Sequence, residues 1–391
     1  MNTPTPLEQL VRSAVAPRQV SIGLPNPLSP DERRFPLTPE AAAMLIDRGF
    51  TVKMEAGSAK SIHFSDEAYS RHGVEIVERA EALRSDIVIY LPAISEADAH
   101  RLKRGALLMG FSHTESQSPR ALKILLQKYV TGIALDKITD DAGNHPFADI
   151  LREIDGRAAI AIASALLADA VHGKGILLGG VAGVNPCELT IIGADLAALA
   201  AARSAVGLGA MVRLFDNDIY RLRDLTAAMG PGVIASALHP RVLRSALHSA
   251  DIVIACSLRQ PFEVSSEDIA DMKRGVITFD LDQSSTPVFP SMPTVDLALA
   301  SPCDNGPEAG QRVCYVNAGS AVPRTAAMAV SNTLLTMFDD IIAAESPLNA
   351  LKLIPGLRGA AYTFLGKPVN NDVAKMLGVR AVDINLLLQF S

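Results

Sequence analysis

The feature that most constrains the fold is a stretch from Glu188 to Asp216, in which segments typical of a strand, a turn and a helix follow one another. A short apolar run ends at Gly193, and an alanine-rich segment then continues to Gly207. A second apolar run ends at Asp216. This succession predicts a strand, a tight turn, a helix and a second strand.

A unit of this kind is the frame of a dinucleotide-binding fold. Asp216 follows Gly193 by 23 positions, close to the spacing of roughly 20 residues at which such folds place the acid that binds the ribose hydroxyls of NAD. Gly193 and Asp216 are therefore predicted to bind the cofactor. An acid at the end of a strand also occurs without any ligand, so a structural role for Asp216 is the alternative.

The glycine motif of that fold is incomplete. Where G-x-G-x-x-G is expected, the chain reads Gly193-Ala194-Asp195-Leu196-Ala197-Ala198, so only the first glycine is present. Asp195 brings a carboxylate to a helix N-terminus, where the cofactor's diphosphate would bind. An unscreened contact between like charges there is expected to cost roughly a few kcal/mol. The sequence predicts a dinucleotide frame with an impaired phosphate contact.

Length and charge limit the class of protein. A chain of 391 residues is long enough for two domains of ordinary size. The formal net charge of −6, with no long basic run, argues against nucleic-acid and anionic-membrane partners. The first 18 residues lack the basic start and apolar core of a signal peptide, and are predicted to be a flexible extension.

Cysteine usage and hydropathy add two further predictions. The most apolar stretch, Ala158 to Ala168, is too short to span a bilayer and predicts a buried helix. The four cysteines show no C-x-x-C pairing, so no metal site and no disulfide framework are predicted, and a reducing cytoplasm is the expected location. They are Cys187, Cys256, Cys303 and Cys314.

Strand and helix patterns alternate along most of the chain, which predicts an α/β fold with mostly parallel sheets covered by helices on both faces. We predict two Rossmann-like, doubly wound domains separated by a cleft. Residues 19–146 and 325–391 form a discontinuous substrate or catalytic domain, and residues 147–324 form a dinucleotide-binding-like domain. Thr38 and Pro39 are predicted to begin the first helix, as its cap and first residue.

Four stretches together suggest a family. They are Glu32-Arg33-Arg34-Phe35-Pro36-Leu37-Thr38-Pro39, residues 156–184, Asp280-Leu281-Asp282-Gln283 and residues 317–325. From about residue 19 to its end, the chain resembles the alanine dehydrogenases and the related N-terminal part of the proton-translocating pyridine nucleotide transhydrogenases. The resemblance implies a homo-oligomeric oxidoreductase that acts on a small amino acid or 2-oxo acid with NAD.

The resemblance also implies site residues. Arg34 corresponds to the arginine that binds the substrate carboxylate, and His113 to a histidine active in acid–base chemistry. Asp282 corresponds to an acid near the reacting centre, and Asn317 to a residue near the nicotinamide. The structural alternatives are a surface arginine for Arg34, a structural histidine for His113 and a loop-orienting acid for Asp282.

Other positions depart from the family pattern. The family has a catalytic lysine after the strand that corresponds to residues 86–91, where this chain has Tyr90 and Pro92. Tyr90 is predicted to contact the substrate in place of that lysine. A serine that contacts the cofactor in the family is Arg152 here. Together with Asp195 and Ala198, this change makes the use of NAD doubtful.

Three functional hypotheses follow. The first is a divergent alanine dehydrogenase-family enzyme that acts on a small amino acid, a 2-oxo acid or a derived imine, with altered or lost use of NAD. The second is a working NAD-dependent amino-acid dehydrogenase. The third is a non-catalytic binding or scaffold homologue.

Overall fold

Two β-sheets organise the chain in a computed structural model, which describes residues 20–112, 117–282, 286–301, 312–343 and 347–389. The predicted N-terminal extension and His113 lie outside the described residues. The strands are β1 (Ser21–Leu24), β2 (Thr51–Glu55), β3 (Glu75–Val77), β4 (Ile87–Ile89), β5 (Leu107–Gly110), β6 (Thr131–Ala134), β7 (Glu188–Ile192), β8 (Met211–Phe215), β9 (Val233–Ser236), β10 (Ile252–Ala255), β11 (Ile277–Asp280), β12 (Thr294–Asp296), β13 (Val313–Val316), β14 (Ala361–Phe364) and β15 (Lys367–Pro368).

The helices lie between and after these strands. They are α1 (Pro39–Asp47), α2 (Asp66–Ser70), α3 (Arg79–Ala82), α4 (Glu96–Arg101), α5 (Pro119–Gln127), α6 (Pro146–Ala168), α7 (Leu196–Gly207), α8 (Ile219–Met229), α9 (Pro240–Ser249), α10 (Ser266–Asp271), α11 (Pro323–Ala343), α12 (Pro347–Leu353), α13 (Pro355–Gly359), α14 (Asn371–Met376) and α15 (Ile384–Gln389). Helix α1 begins as predicted, because the Thr38 hydroxyl accepts the Ala41 N–H at 3.3 Å and Pro39 is its first residue.

The first sheet has eight strands in the order β15-β14-β6-β5-β4-β1-β2-β3. Strands β1 to β6 pair in parallel, whereas β14 runs antiparallel to both β6 and β15. Parallel strands need helical crossovers, and helices α1 to α5 supply them.

The second sheet has seven parallel strands in the order β12-β13-β11-β10-β7-β8-β9. The strand order reverses at β7, which lies between β8 and β10. In open parallel sheets, the crevice beyond the strand ends at such a reversal is where ligands bind. The predicted α/β class with two doubly wound units is confirmed.

Two long helices connect the sheets. Helix α6 buries Phe147 in the core of the first sheet, and its residues from Ala158 onward in the core of the second sheet. Helix α11 returns to the first core, where Val330, Leu334 and Phe338 are buried. Within the described ranges, no helix is both long and apolar enough to cross a membrane. The domain limits at residues 146 and 324 remain a prediction.

Helix α6 approaches helix α7 closely at Gly156. A Cβ atom at this position would lie 2.1 Å from the carbonyl oxygen of Ala197, so only glycine allows this contact. Arg152 is one turn earlier in α6 and therefore reaches the N-terminus of α7.

Candidate functional site

The turn between β7 and α7 requires Gly193. Its φ angle is +100°, and a Cβ atom there would lie 2.6 Å from the carbonyl oxygen of Cys256. L-residues with side chains rarely adopt this conformation, and here the backbone of Cys256 also excludes them. The turn directs the N-terminus of α7 toward the crevice beyond the carboxyl ends of β7 and β10.

Asp216 holds this turn in place from the end of β8. Its side chain is buried, with 1% of the residue exposed. One carboxylate oxygen accepts the Ala194 N–H and the other accepts the Asp218 N–H, both at 2.8 Å. A cavity of about 600 Å³ adjoins Asp216 and is also lined by Tyr220, Leu258 and other residues of these loops. The ribose contact of Asp216 remains a prediction.

An ion pair occupies the N-terminus of α7. The Asp195 carboxylate accepts the Ala198 N–H at 2.9 Å as the helix cap, and it is also ion-paired with Arg152. The Arg152 guanidinium also donates to the carbonyl oxygen of Leu281 and to the Ser257 hydroxyl, the latter at 3.2 Å. The Ser257 N–H donates to Asp195 at 3.3 Å. The Arg152 and Asp195 side chains are only 10% and 13% exposed.

This pair corrects the expectation of an unscreened carboxylate at the helix N-terminus. Burial by itself lowers the pKa of Arg152, but the charges of Asp195 and Asp155 outweigh burial, and the pKa is raised. Arg152 is therefore a full cation beside Asp195. The two departures from the family pattern, Arg152 and Asp195, form one compensated unit that caps the N-terminus of α7.

A second cavity, of about 480 Å³, lies in the cleft between the two sheets. The loop after β1 contributes Arg34 to its wall, and the loop after β4 contributes Pro92. The turn after β13 contributes Asn317 and Ser320. Arg34 and Asn317, two of the predicted site residues, are thus brought together.

Arg34 is oriented by two neighbours. Its Nε and Nη2 atoms donate to the two carboxylate oxygens of Glu32, at 2.7 and 2.5 Å. The guanidinium carbon lies 4.6 Å from the centre of the Phe111 ring. Burial lowers the pKa of Arg34, but Glu32, Asp155 and Asp136 raise it above the ordinary value. The edge of the guanidinium away from Glu32, with Nη1, makes no hydrogen bond within the described residues and can donate to a carboxylate.

Asn317 is held at the rim of this cavity. It has a φ angle of 58°, and its Nδ2 donates to Asp296 at 2.8 Å. The four-residue helical turn Ala318–Ala321 follows and contacts α6 through the Gly319 N–H, which donates to the Asp155 carboxylate at 2.9 Å.

Tyr90 lies on the other face of the first sheet. Its ring packs in a core that includes Val88 and Leu108, and only 4% of the residue is exposed. Its hydroxyl accepts the Leu28 N–H at 3.4 Å. Pro92, not Tyr90, lines the cleft cavity. The structure thus does not bring Tyr90 to Arg34, and its substrate contact remains a prediction without support from this arrangement.

Asp282 follows β11 and is partly exposed. Its N–H donates to the Asp280 carboxylate at 3.0 Å, and the preceding residue, Leu281, accepts from Arg152. Asp282 therefore lies one residue from the ion pair, while the cleft cavity is lined by other residues. No group of three or more metal-binding side chains occurs within the described ranges.

Asp155 is a titratable residue close to Arg34 and Arg152 that sequence reasoning did not single out. It is partly buried on α6 between the two arginines, and burial raises the pKa of its carboxyl. Arg152, the Gly319 N–H and Arg34 oppose this rise without cancelling it. A signal was present, because the run Glu153-Ile154-Asp155-Gly156 places an acid where the family's Glu-Val-Ala-Gly run has an alanine.

Comparisons with known proteins agree on one family. Residues 23–151 match the family described as alanine dehydrogenase/PNT, N-terminal domain, and residues 159–371 match alanine dehydrogenase/PNT, C-terminal domain. An alanine dehydrogenase from Mycolicibacterium smegmatis is 29% identical over 327 residues, which is 80% of this chain and 85% of that protein. One from Staphylococcus saprophyticus is 28% identical over 376 residues, which is 94% of this chain and 100% of that protein.

A solved structure of an L-alanine dehydrogenase superposes with a TM-score of 0.81 at 25% identity. The match covers 92% of this chain and 99% of that chain. The chain therefore shares both the sequence pattern and the two-sheet fold of these proteins along most of its length.

Proposed function

Because the chain belongs to the alanine dehydrogenase/PNT family, we propose that it is an enzyme that binds a small amino acid or 2-oxo acid, or a derived imine, with altered or lost use of NAD. The observation that carries this proposal is the Arg152–Asp195 pair at the N-terminus of α7, beside a cleft that retains Arg34. The resemblance to the family leads us to expect the dinucleotide phosphates at the N-terminus of α7 and the substrate carboxylate at Arg34.

Binding of an acid is supported by the state of Arg34. Glu32 and Phe111 fix the guanidinium, so little conformational entropy is lost when a ligand binds. Arg34 lines a cavity of about 480 Å³, which is ample for an acid of three to five carbons. The relatives named alanine dehydrogenase act on an acid of this class.

Altered use of NAD is supported by the contacts of the ion pair. A diphosphate at the N-terminus of α7 needs N–H groups that point toward it, and the Ala198 N–H is already bound to Asp195. To bind there, a dinucleotide must separate Arg152 from Asp195 or take a displaced path. In either case we expect weaker binding than in an enzyme with the full glycine motif.

One observation favours the second candidate, an NAD-dependent amino-acid dehydrogenase. Gly193 and Asp216 keep the geometry of the dinucleotide frame, and the cavity of about 600 Å³ adjoins Asp216. A nucleoside moiety fits a cavity of this size. The two candidates differ in whether NADH binds and turns over.

The proposed function is tested with two probe acids, L-alanine and pyruvate, in isothermal titration calorimetry. We expect at least one acid to bind the wild-type protein and the Arg33→Ala control, and to lose most of its affinity in Arg34→Ala. Arg33 is the adjacent arginine and does not line the cavity. Binding that is equal in Arg34→Ala and Arg33→Ala would contradict the role of Arg34.

The cofactor is tested by titrating NADH and following its fluorescence. We expect no saturable change into the millimolar range. Turnover of alanine or pyruvate with NAD(H) at rates of roughly 1 to 1,000 s⁻¹, usual for such enzymes, would reject the proposal in favour of the second candidate.

We also propose that the protein is a cytoplasmic homo-oligomer. Several large apolar side chains are exposed on the loop between α6 and β7, which is unusual unless a partner covers them. They are Val171, Leu177, Val181 and Val184.

A further inference from the structure

We propose that Asp155 recognises the group on the α-carbon of the acid that Arg34 binds. Its carboxylate form binds the ammonium group of an amino acid, and its protonated form donates to the carbonyl oxygen of a 2-oxo acid. This inference rests on the proposed function, because it assumes that Arg34 holds an acid in the cleft.

The position of Asp155 is fixed from two sides. It follows Arg152 by three residues in α6, so the two side chains lie on the same face of the helix. One carboxylate oxygen accepts the Gly319 N–H at 2.9 Å. Gly319 lies between Asn317 and Ser320, and both of these line the cavity that contains Arg34. Asp155 does not itself line the cavity, and its carboxyl group lies behind the turn from Asn317 to Ser320 that does.

The other carboxylate oxygen of Asp155 has no hydrogen-bond partner in the part of the chain that the structure describes. This oxygen is not one of the fully buried unsatisfied side-chain atoms of the described residues, so it is open to an approaching ligand. A ligand ammonium or hydroxyl in the cavity would satisfy it. The oxygen that accepts from Gly319 is the one that fixes the side chain, which leaves this second oxygen for the ligand.

The charges around Asp155 leave it without a cation of its own. The groups that act on it are Arg152 from α6, Arg34 from the loop after β1 and Asp195 from the N-terminus of α7. Arg34 is paired with Glu32, and Arg152 is paired with Asp195. Each arginine is thus already balanced by another carboxylate. The α-ammonium group of a bound amino acid would supply the cation that Asp155 lacks.

The pH dependence has opposite signs for the two kinds of acid. An amino acid needs ionised Asp155, so its affinity rises as the pH rises through the pKa of this carboxyl. A 2-oxo acid needs protonated Asp155, so its affinity falls over the same range. Burial raises the pKa of Asp155, which moves this range upward from that of an ordinary aspartate.

The experiment compares Asp155→Asn with Glu153→Gln and the wild type, titrating L-alanine and pyruvate in a calorimeter over a series of pH values. Asparagine keeps an oxygen that can accept the Gly319 N–H but has no charge. Glu153 is a matched control, because it is a carboxylate two residues away on α6 that pairs with exposed Arg157. Asp155→Asn is expected to lower the affinity for L-alanine roughly tenfold to a hundredfold, which is typical of a charge-assisted hydrogen bond.

We expect the affinity for pyruvate to change much less in Asp155→Asn and to lose its pH dependence. A ratio of L-alanine to pyruvate affinity that stays within roughly twofold of the wild-type ratio would overturn this inference alone. Binding of neither acid by the wild type or by Glu153→Gln would overturn the proposed function as well.

A second measurement needs no variant. Calorimetry of the wild-type protein in buffers with different ionisation enthalpies counts the protons exchanged on binding. We expect L-alanine to release protons and pyruvate to take them up near the pKa of Asp155. Proton exchange of the same sign for both acids would refute the assignment even if Asp155→Asn does not fold.

Discussion

The Arg152–Asp195 pair makes a quantitative prediction for a double-mutant cycle of Arg152→Ala and Asp195→Asn. Arg152→Ala removes the donor to Asp195, Leu281 and Ser257, and leaves a carboxylate that is only 13% exposed. Breaking a buried pair typically costs about 3–5 kcal/mol. The carboxylate keeps the N–H groups of Ala198 and Ser257, so we expect the low end, about 3 kcal/mol.

The second change is milder. Asp195→Asn keeps an oxygen that caps the Ala198 N–H, and Arg152 keeps its bonds to Leu281 and Ser257. We expect it to cost about 1–2 kcal/mol, the value of a hydrogen bond to a charged group. The double variant should then lose about 3 kcal/mol rather than the sum, which gives a coupling energy of about 1–2 kcal/mol.

The assay is urea denaturation followed by circular dichroism, because the chain contains no tryptophan for fluorescence. A coupling energy below about 0.5 kcal/mol, the size found for exposed pairs, would show that the two residues are not a compensated unit. In that case the reasoning from their burial and shared contacts is wrong.

The same pair predicts opposite effects on dinucleotide binding. Asp195→Gly removes the carboxylate, frees the Ala198 N–H and leaves the Arg152 guanidinium beside the helix N-terminus, which together form an anion site. NADH should bind roughly tenfold more tightly or better than to the wild type, and the gain should shrink as salt is added. Arg152→Ala should give no gain. Equal NADH affinity in Asp195→Gly and the wild type would refute the claim that this pair obstructs the phosphate site.

Three further predictions concern stability and assembly. Burial raises the pKa of Asp155, so the stabilising contribution of this carboxyl is present at low pH and is lost as the pH rises through its folded-state pKa. Asp155→Asn should therefore have a higher melting temperature than the wild type at alkaline pH but not at acidic pH. Scanning calorimetry measures this difference. Gly193→Ala should cost more than Gly49→Ala in urea denaturation, because both glycines have positive φ angles but only the Cβ at Gly193 meets backbone; equal costs would contradict the contact with Cys256. Leu177→Ser should lower the molar mass found by light scattering, and an unchanged mass would exclude this exposed side chain from the interface.

The parts of the fold that depend on local sequence are predictable. The cap and first turn of α1 need only Thr38 and Pro39, and the unit from β7 to β8 needs only an apolar run, Gly193 and a helix-forming segment. Strands β14 and β15 are not predicted, because β14 joins the sheet through an antiparallel pairing with distant β6, which local sequence does not encode.

The ion pair is not predictable in the same way. Arg152 and Asp195 are 43 residues apart, and their contact depends on how closely α6 packs on α7 at Gly156. The sequence also does not decide whether Tyr90 or Pro92 lines the cleft. Strand β4 ends at Ile89, so the alternation of its side chains between the two faces of the sheet does not predict the direction of Pro92.

Asp216 shows why a retained motif residue is weak support for a retained ligand. Both of its carboxylate oxygens accept backbone N–H groups that shape the turn after β7. The fold would need this buried acid even if no ribose ever bound, because its loss would leave the N–H groups of Ala194 and Asp218 without an acceptor. Asp195 and Arg152 have no such role in a fold with the full glycine motif, where a bound phosphate satisfies the helix N-terminus. Their mutual contact therefore distinguishes the functional hypotheses, whereas the presence of Asp216 does not.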